Sequence, residues 1–100
     1  MTYIDAPPRI TEKAWLGQVI RLAEVLGWKY YHTHRSDGSV AGFPDLVLVR
    51  RPRVIFAELK AQRTPVTLAQ RTWLATLAEA GAEAYLWRPS DIESIVRTLR

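Results

Sequence analysis

The chain has 100 residues, with 14 basic and 10 acidic side chains and a formal net charge of +4. Apolar types make up 48% and aromatic types 10%, which excludes a disordered chain, and the length allows one domain. There are no cysteines, so disulfide scaffolds, thiolate metal sites and cysteine nucleophiles are excluded.

No apolar run approaches the roughly 18 residues of a membrane span. Residues 1–10 lack the basic start and apolar stretch of a signal peptide. A soluble protein of a reducing compartment, the cytoplasm, is expected, with no membrane partner. The charge is unevenly spread. Residues 29–63 carry seven basic side chains against three acidic ones, so the whole net charge lies in that third. Eleven of the 14 basic residues are Arg, whose forked guanidinium suits phosphate.

In chain order, residues 1–10 read as a flexible arm, with Pro7-Pro8 preventing a helix, and residues 11–100 as the single domain. Trp15, Val19, Leu22 and Leu26 recur at helical spacing, widened by Leu16, Ile20 and Ala23. With Thr11 as N-cap and Gly27 as stop, they predict a helix over 12–26. The aromatic stretch 28–33 predicts a strand, and the turn formers of 34–43 a loop. Residues 45–50 are almost continuously apolar, which suits a central strand covered on both faces. Arg51-Pro52 forms a turn into a third strand over 53–60, making an antiparallel hairpin.

Thr67-Leu68-Ala69-Gln70 reads as a capping box opening a second helix that runs to about residue 80, with Leu68, Trp73, Leu74 and Leu77 inward. Residues 83–88 form a fourth strand, and Ser90-Asp91-Ile92-Glu93 a second capping box before a short C-terminal helix. The order α-β-β-β-α-β-α implies an α/β fold, a mixed sheet with helices packed on its faces.

Asp45, Glu58 and Lys60 stand out. Pro44 suits the start of a strand, placing Asp45 at its opening. Glu58 and Lys60 are two apart, hence on one face of the third strand. Counted outward from the 51–52 turn, Asp45 and Glu58 lie equally far along the hairpin and become neighbours. Two adjacent carboxylates repel unless neutralised, and oxygen-only ligands favour Mg²⁺ or Mn²⁺. Lys60 beside such a cation can orient and deprotonate a water or steady charge on a phosphate. This is equipment for phosphodiester hydrolysis; a surface ion pair and an ordinary turn are the plain alternative.

Gly42-Phe43-Pro44-Asp45, then Glu58-Leu59-Lys60, then Gln70 followed by Trp73-Leu74, with Glu12 in the first helix, resembles the VRR-NUC branch of the PD-(D/E)XK nucleases. The resemblance runs from about Thr11 to Pro89. It implies a restriction-endonuclease-like core and a metal-dependent DNA endonuclease acting on branched DNA such as Holliday junctions. Such a substrate would suit a homodimer, because a two-fold junction presents two equivalent strands and a C₂ dimer two sites. The resemblance also implies the phage or prophage origin typical of small stand-alone members, hence host cytoplasm. Asp45 and Glu58 would ligate Mg²⁺, with Mn²⁺ able to substitute, and the Leu59 carbonyl would be a backbone ligand. Lys60 would be the catalytic lysine. Glu12 would approach the metal through its water shell or position Lys60, and Gln70 would contact the metal site or the scissile phosphate. The family often has Ser-Pro or Thr-Pro before this Gln, whereas Thr67-Leu68-Ala69 precedes it here.

Several residues keep two readings. Gln70 also fits a purely capping role, and Glu12 a favourable interaction with the helix dipole. His32 and His34 share a strand face and are assigned to DNA contact or plain exposure. Arg50, Arg51 and Arg53, at the turn opposite the site, suit phosphate, a partner subunit or solvent. Lys29, Arg35 and Arg63 are placed nearer the site and, with His34, are the candidate DNA contacts. Trp15, Trp73 and Trp87 read as core, while Trp28 and Tyr30 are open. The rival function is a DNA-binding module or accessory subunit of the same fold without turnover.

Overall fold

A computed structural model describes residues 9–33 and 38–100. Its elements are α1 (Glu12–Val25), β1 (Lys29–His32), β2 (Leu46–Arg50), β3 (Arg53–Leu59), α2 (Leu68–Glu79), β4 (Glu83–Trp87) and α3 (Ile92–Leu99), with a short 3₁₀ turn at Pro89–Asp91 before α3. The predicted order is the observed one.

The strands lie in the order β1-β2-β3-β4. β1, β2 and β3 are successively antiparallel, and β4 is parallel to β3. The reason is in the connections: two residues join β2 to β3, which reverses the chain, whereas α2 carries it from β3 back to a parallel β4. Arg50 pairs with Arg53 across that turn, and Leu46 with Ala57 at the other end.

Period-two alternation divides the sheet into two faces. Leu46, Leu48, Ile55, Ala57 and Leu59 are buried under Trp15, Val19 and Ala23 of α1, with Trp87, Ile95 and Leu99 closing the core. The opposite face carries Asp45 just before β2, Val47 and Val49 from β2, and Val54, Phe56 and Glu58 from β3. There α2 packs on β3 and β4. Val49 and Val54 stay 43% and 44% exposed, so the expectation of a strand 45–50 covered on both faces is corrected: one face is solvated at its far end.

Other expectations are corrected too. Ile10, assigned to the arm, packs against the core; residues 1–8 lie outside the described residues. Trp28 precedes β1 and is buried, donating its indole N–H to the Leu99 carbonyl at 2.9 Å. Leu68, expected on the inner face of α2, is 74% exposed, and Trp73 is only half-buried. Ser90 does not cap α3. Its N–H donates to Gln62 Oε1 and its hydroxyl accepts from Gln62 Nε2, while Asp91 Oδ2 accepts from the Arg88 N–H.

Arg50 and Arg53 are half-buried and turned to the chain's own groups rather than to phosphate. Arg50 donates to the carbonyls of Leu26, Leu99 and Arg100, and Arg53 to that of Thr98. Both guanidiniums also lie over the Trp28 ring. They satisfy carbonyls that the C-terminal ends of α1 and α3 leave without helical partners. Arg53 further forks onto Glu83 at 2.7 and 2.9 Å. Arg51 is exposed, as the solvated alternative requires.

Candidate active site

The β2–β3 ladder ends at Leu46 and Ala57, so one residue further out Asp45 stands opposite Glu58, as the count from the turn predicts. The Thr33 N–H donates to the Asp45 carbonyl at 3.2 Å, tying this residue to β1 as well. Asp45 Oδ2 accepts from the Leu59 N–H at 3.0 Å. The N–H and C=O of one strand residue face the same neighbour, so the Leu59 carbonyl also lies on the Asp45 side.

Glu58 is 1% exposed and Lys60 7%; they are the buried charged residues among those described. Glu58 Oε1 is buried with no hydrogen-bond partner. Burial, first of all, and then the Asp45 carboxylate raise the Glu58 pKa to about 8, with Glu12 adding to the rise and Lys60 opposing it. A buried acceptor without a donor costs roughly 1–3 kcal/mol. This one therefore asks for a cation.

The donor set fits a hard divalent ion. Asp45, Glu58 and the Leu59 carbonyl are all oxygen donors on one side of the sheet end. No group of three or more His, Cys, Asp and Glu arranged to hold a metal occurs among the described residues. A two-carboxylate site suits Mg²⁺, which keeps several of its waters, better than zinc.

Glu12, at the start of α1, reaches the same end of the sheet. Its Oε1 accepts from the Ala61 N–H at the long distance of 3.5 Å, and its charge is felt at Glu58. Thr11 caps the helix, accepting from the Ala14 N–H at 3.0 Å. Gln70 realises its capping role: Oε1 accepts from the Thr67 N–H at 3.0 Å, while the Gln70 N–H donates to Thr67 Oγ1 at 3.1 Å. That bond occupies its side-chain oxygen.

The loop before Asp45 is docked on α2. Gly42 has φ +93°, and a Cβ there would come within 2.5 Å of the Ala69 backbone, so only glycine fits. Trp73 donates to the Ala41 carbonyl at 3.1 Å, and Phe43 packs edge-on against both Trp73 and Phe56. Sequence reasoning missed these contacts, although the glycine two places before Pro44 was a usable signal.

Among the candidate DNA contacts, Arg63 is exposed in the segment that follows Lys60. Lys29 is not near the site, and its placement is corrected. It pairs with Val49, four residues from Asp45, about 13 Å along the strand. The antiparallel direction of β1 puts its C-terminal end, not Lys29, beside the carboxylates. His32 occupies that end, paired with Leu46. His34 and Arg35 fall outside the described residues.

The VRR-NUC domain family model matches residues 13–90. A solved structure named a VRR_NUC domain protein matches at 20% identity with a TM-score of 0.72, over 92% of this chain and 87% of that one. Another, named VRR_NUC domain, matches at 19% identity with a TM-score of 0.73, over 87% and 95%. The Holliday junction resolvase Hjc of the archaeal hyperthermophile Archaeoglobus fulgidus matches at 17% identity with a TM-score of 0.58, over 80% of this chain and 66% of its own. No curated protein sequence matches. These likenesses establish the restriction-endonuclease-like fold.

Proposed function

The chain belongs to the VRR-NUC family of nuclease domains, and on that premise we propose that it is a Mg²⁺-dependent endodeoxyribonuclease selective for branched DNA, working as a homodimer. The observation that carries the metal dependence is Glu58, buried beside Asp45 with one carboxylate oxygen unpartnered. Asp45, Glu58 and the Leu59 carbonyl would hold Mg²⁺ or Mn²⁺. When bound, the ion neutralises the paired carboxylates and polarises the phosphoryl oxygens.

The chain's own groups do the rest. Lys60 holds its ammonium next to the carboxylates, where it orients the attacking water and steadies the negative charge that grows on the phosphate. Glu12 anchors the Ala61 N–H and keeps α1 against the site. Gln70, already engaged in its cap, fixes the start of α2 beside the Gly42–Asp45 loop. Arg63 is exposed on the segment leaving the site and serves phosphate contact.

The resolvase title of one structural neighbour supports branched DNA as the substrate. A two-fold junction presents two equivalent strands, and a C₂ dimer presents two sites. The exposed sheet face at Tyr31, Val49 and Val54 offers apolar surface for a second copy.

The test uses labelled four-way junction, flap and linear duplex with Mg²⁺, Mn²⁺ or EDTA, for the natural chain and for Glu58→Ala and Lys60→Ala. Cutting of the junction that needs the ion and falls by about 10³-fold or more in both variants is expected. Binding without cutting under every condition would establish the non-catalytic DNA-binding module instead.

A further inference from the structure

Lys60 lies just beyond β3, which ends at Leu59. On one side β2 has already stopped, so the sheet secures Lys60 only through β4, where its N–H donates to the Trp87 carbonyl at 3.1 Å. The same carbonyl accepts from the Trp15 indole at 3.0 Å. Past that bond no ladder continues, yet Lys60 is buried next to two carboxylates.

Arg88 takes over where the ladder ends. Its Nη1 donates to the Ala61 carbonyl at 2.7 Å and to the Gln62 carbonyl at 3.2 Å. Its own backbone is pinned, because the Arg88 N–H donates to Asp91 Oδ2 at 2.8 Å. Gln62 is tied to Ser90 by two further bonds of 3.0 Å. The Ala61 residue is thus gripped at both ends, its N–H by Glu12 and its carbonyl by Arg88.

We propose that Arg88 is a positioning residue for Lys60: by holding the Ala61 and Gln62 carbonyls, it fixes the backbone through which the Lys60 ammonium is aimed at the Asp45–Glu58 pair. A neutral donor would serve less well, since a charged donor makes a hydrogen bond about twice as strong. The inference rests on the nuclease reading for Lys60 but not for the clamp itself.

Arg88→Met and Arg88→Lys are compared with the natural chain. For Arg88→Met, kcat on the preferred junction falls about 10- to 100-fold, as misplacement of a reacting group does. KM and the salt dependence of DNA binding stay near their natural values, while the melting temperature falls, because a part-buried carbonyl loses its donor. Arg88→Lys keeps part of the rate, and free guanidinium ion restores part of it to Arg88→Met. Amide exchange at residues 60–62 accelerates in Arg88→Met while the centre of β3 stays protected.

A raised KM with a shallower salt dependence and an intact kcat would make Arg88 a phosphate contact and overturn the proposal. So would unchanged kcat and exchange, or accelerated exchange throughout β3 and β4. Should the natural chain cut no DNA at all, the nuclease reading fails, and the exchange at residues 60–62 still decides whether the clamp exists.

Discussion

Burial of Glu58 beside Asp45 gives one side chain a titration that follows cation binding. With its folded pKa raised from 4.5 to about 8, the native state holds the Glu58 proton more tightly than the unfolded chain does. The sign follows from linkage: without a cation, this group favours folding fully below about pH 4.5 and loses that contribution as pH rises to about 8. Cation-free protein is therefore expected to lose stability across that window, by an amount on the order of a few kcal/mol, read as a falling melting temperature. In Glu58→Gln the decline flattens. Mg²⁺ should raise the natural chain's melting temperature strongly at about pH 8 and little at about pH 5, where protons compete for the carboxylates. A Mg²⁺ effect of equal size at both pH values, or its survival in Glu58→Gln, would sink this account. The carboxylate pair and Lys60 were legible in the sequence because a two-residue hairpin turn fixes register by counting. Arg88 was not, because its place beside Lys60 depends on the parallel register of β3 and β4, which pairs Leu59 with Trp87 and is set by packing across α2. Lys29 was misplaced because strand content was read without strand direction.

At the level of elements, every helix and strand was legible from hydrophobic period and turn chemistry, with ends shifted by a residue or two. What the pattern could not show is how α3 is held. Its last carbonyls are met by Arg50, Arg53 and Trp28, residues distant in sequence whose convergence exists only in the folded sheet. A cluster of three arginines in a basic stretch suggests phosphate, yet two of the three are committed to backbone and to Glu83. The Glu83 carboxyl is held below its ordinary pKa, first by the Arg53 hydrogen bond, so that pair favours folding above about pH 4.5 and loses this effect in acid. Arg50→Leu removes donors from three carbonyls, part of them buried, and is expected to cost about 2–4 kcal/mol of stability in urea unfolding. DNA affinity measured well below the midpoint should be unchanged. A variant with natural stability and weakened DNA binding would return Arg50 to the phosphate-contact reading.

For the whole molecule, the net charge of +4 lies within residues 29–63. Arg50 and Arg53 in that stretch face the chain itself, so the charge offered to DNA is carried by fewer groups than the sequence count implies. Among the described residues of that stretch, exposed Arg63 lies at the site end, following Lys60, whereas exposed Lys29 and Arg51 lie at the far end of the sheet. The sheet face beyond Phe56 is different in kind: Tyr31, Val49 and Val54 are 63%, 43% and 44% exposed, with Lys29 as the charged residue among them. Cross-strand register puts Tyr31 against Val47, and Lys29 and Val54 on either side of Val49, so these side chains form one apolar surface. A surface with Lys29 as its one cation among these residues suits a phosphate backbone poorly, and an exposed apolar patch suits the two-fold copy proposed above. Sedimentation at micromolar concentration is expected to give twice the chain mass for the natural protein. Val49→Glu, which sets two acidic groups against each other or into apolar contact, should give single chains of native circular dichroism. Paired cuts in a four-way junction should then become single nicks, because each chain brings one site. A natural chain that sediments singly and still makes paired cuts would exclude the dimer, and the two strands would then have to be cut in successive encounters.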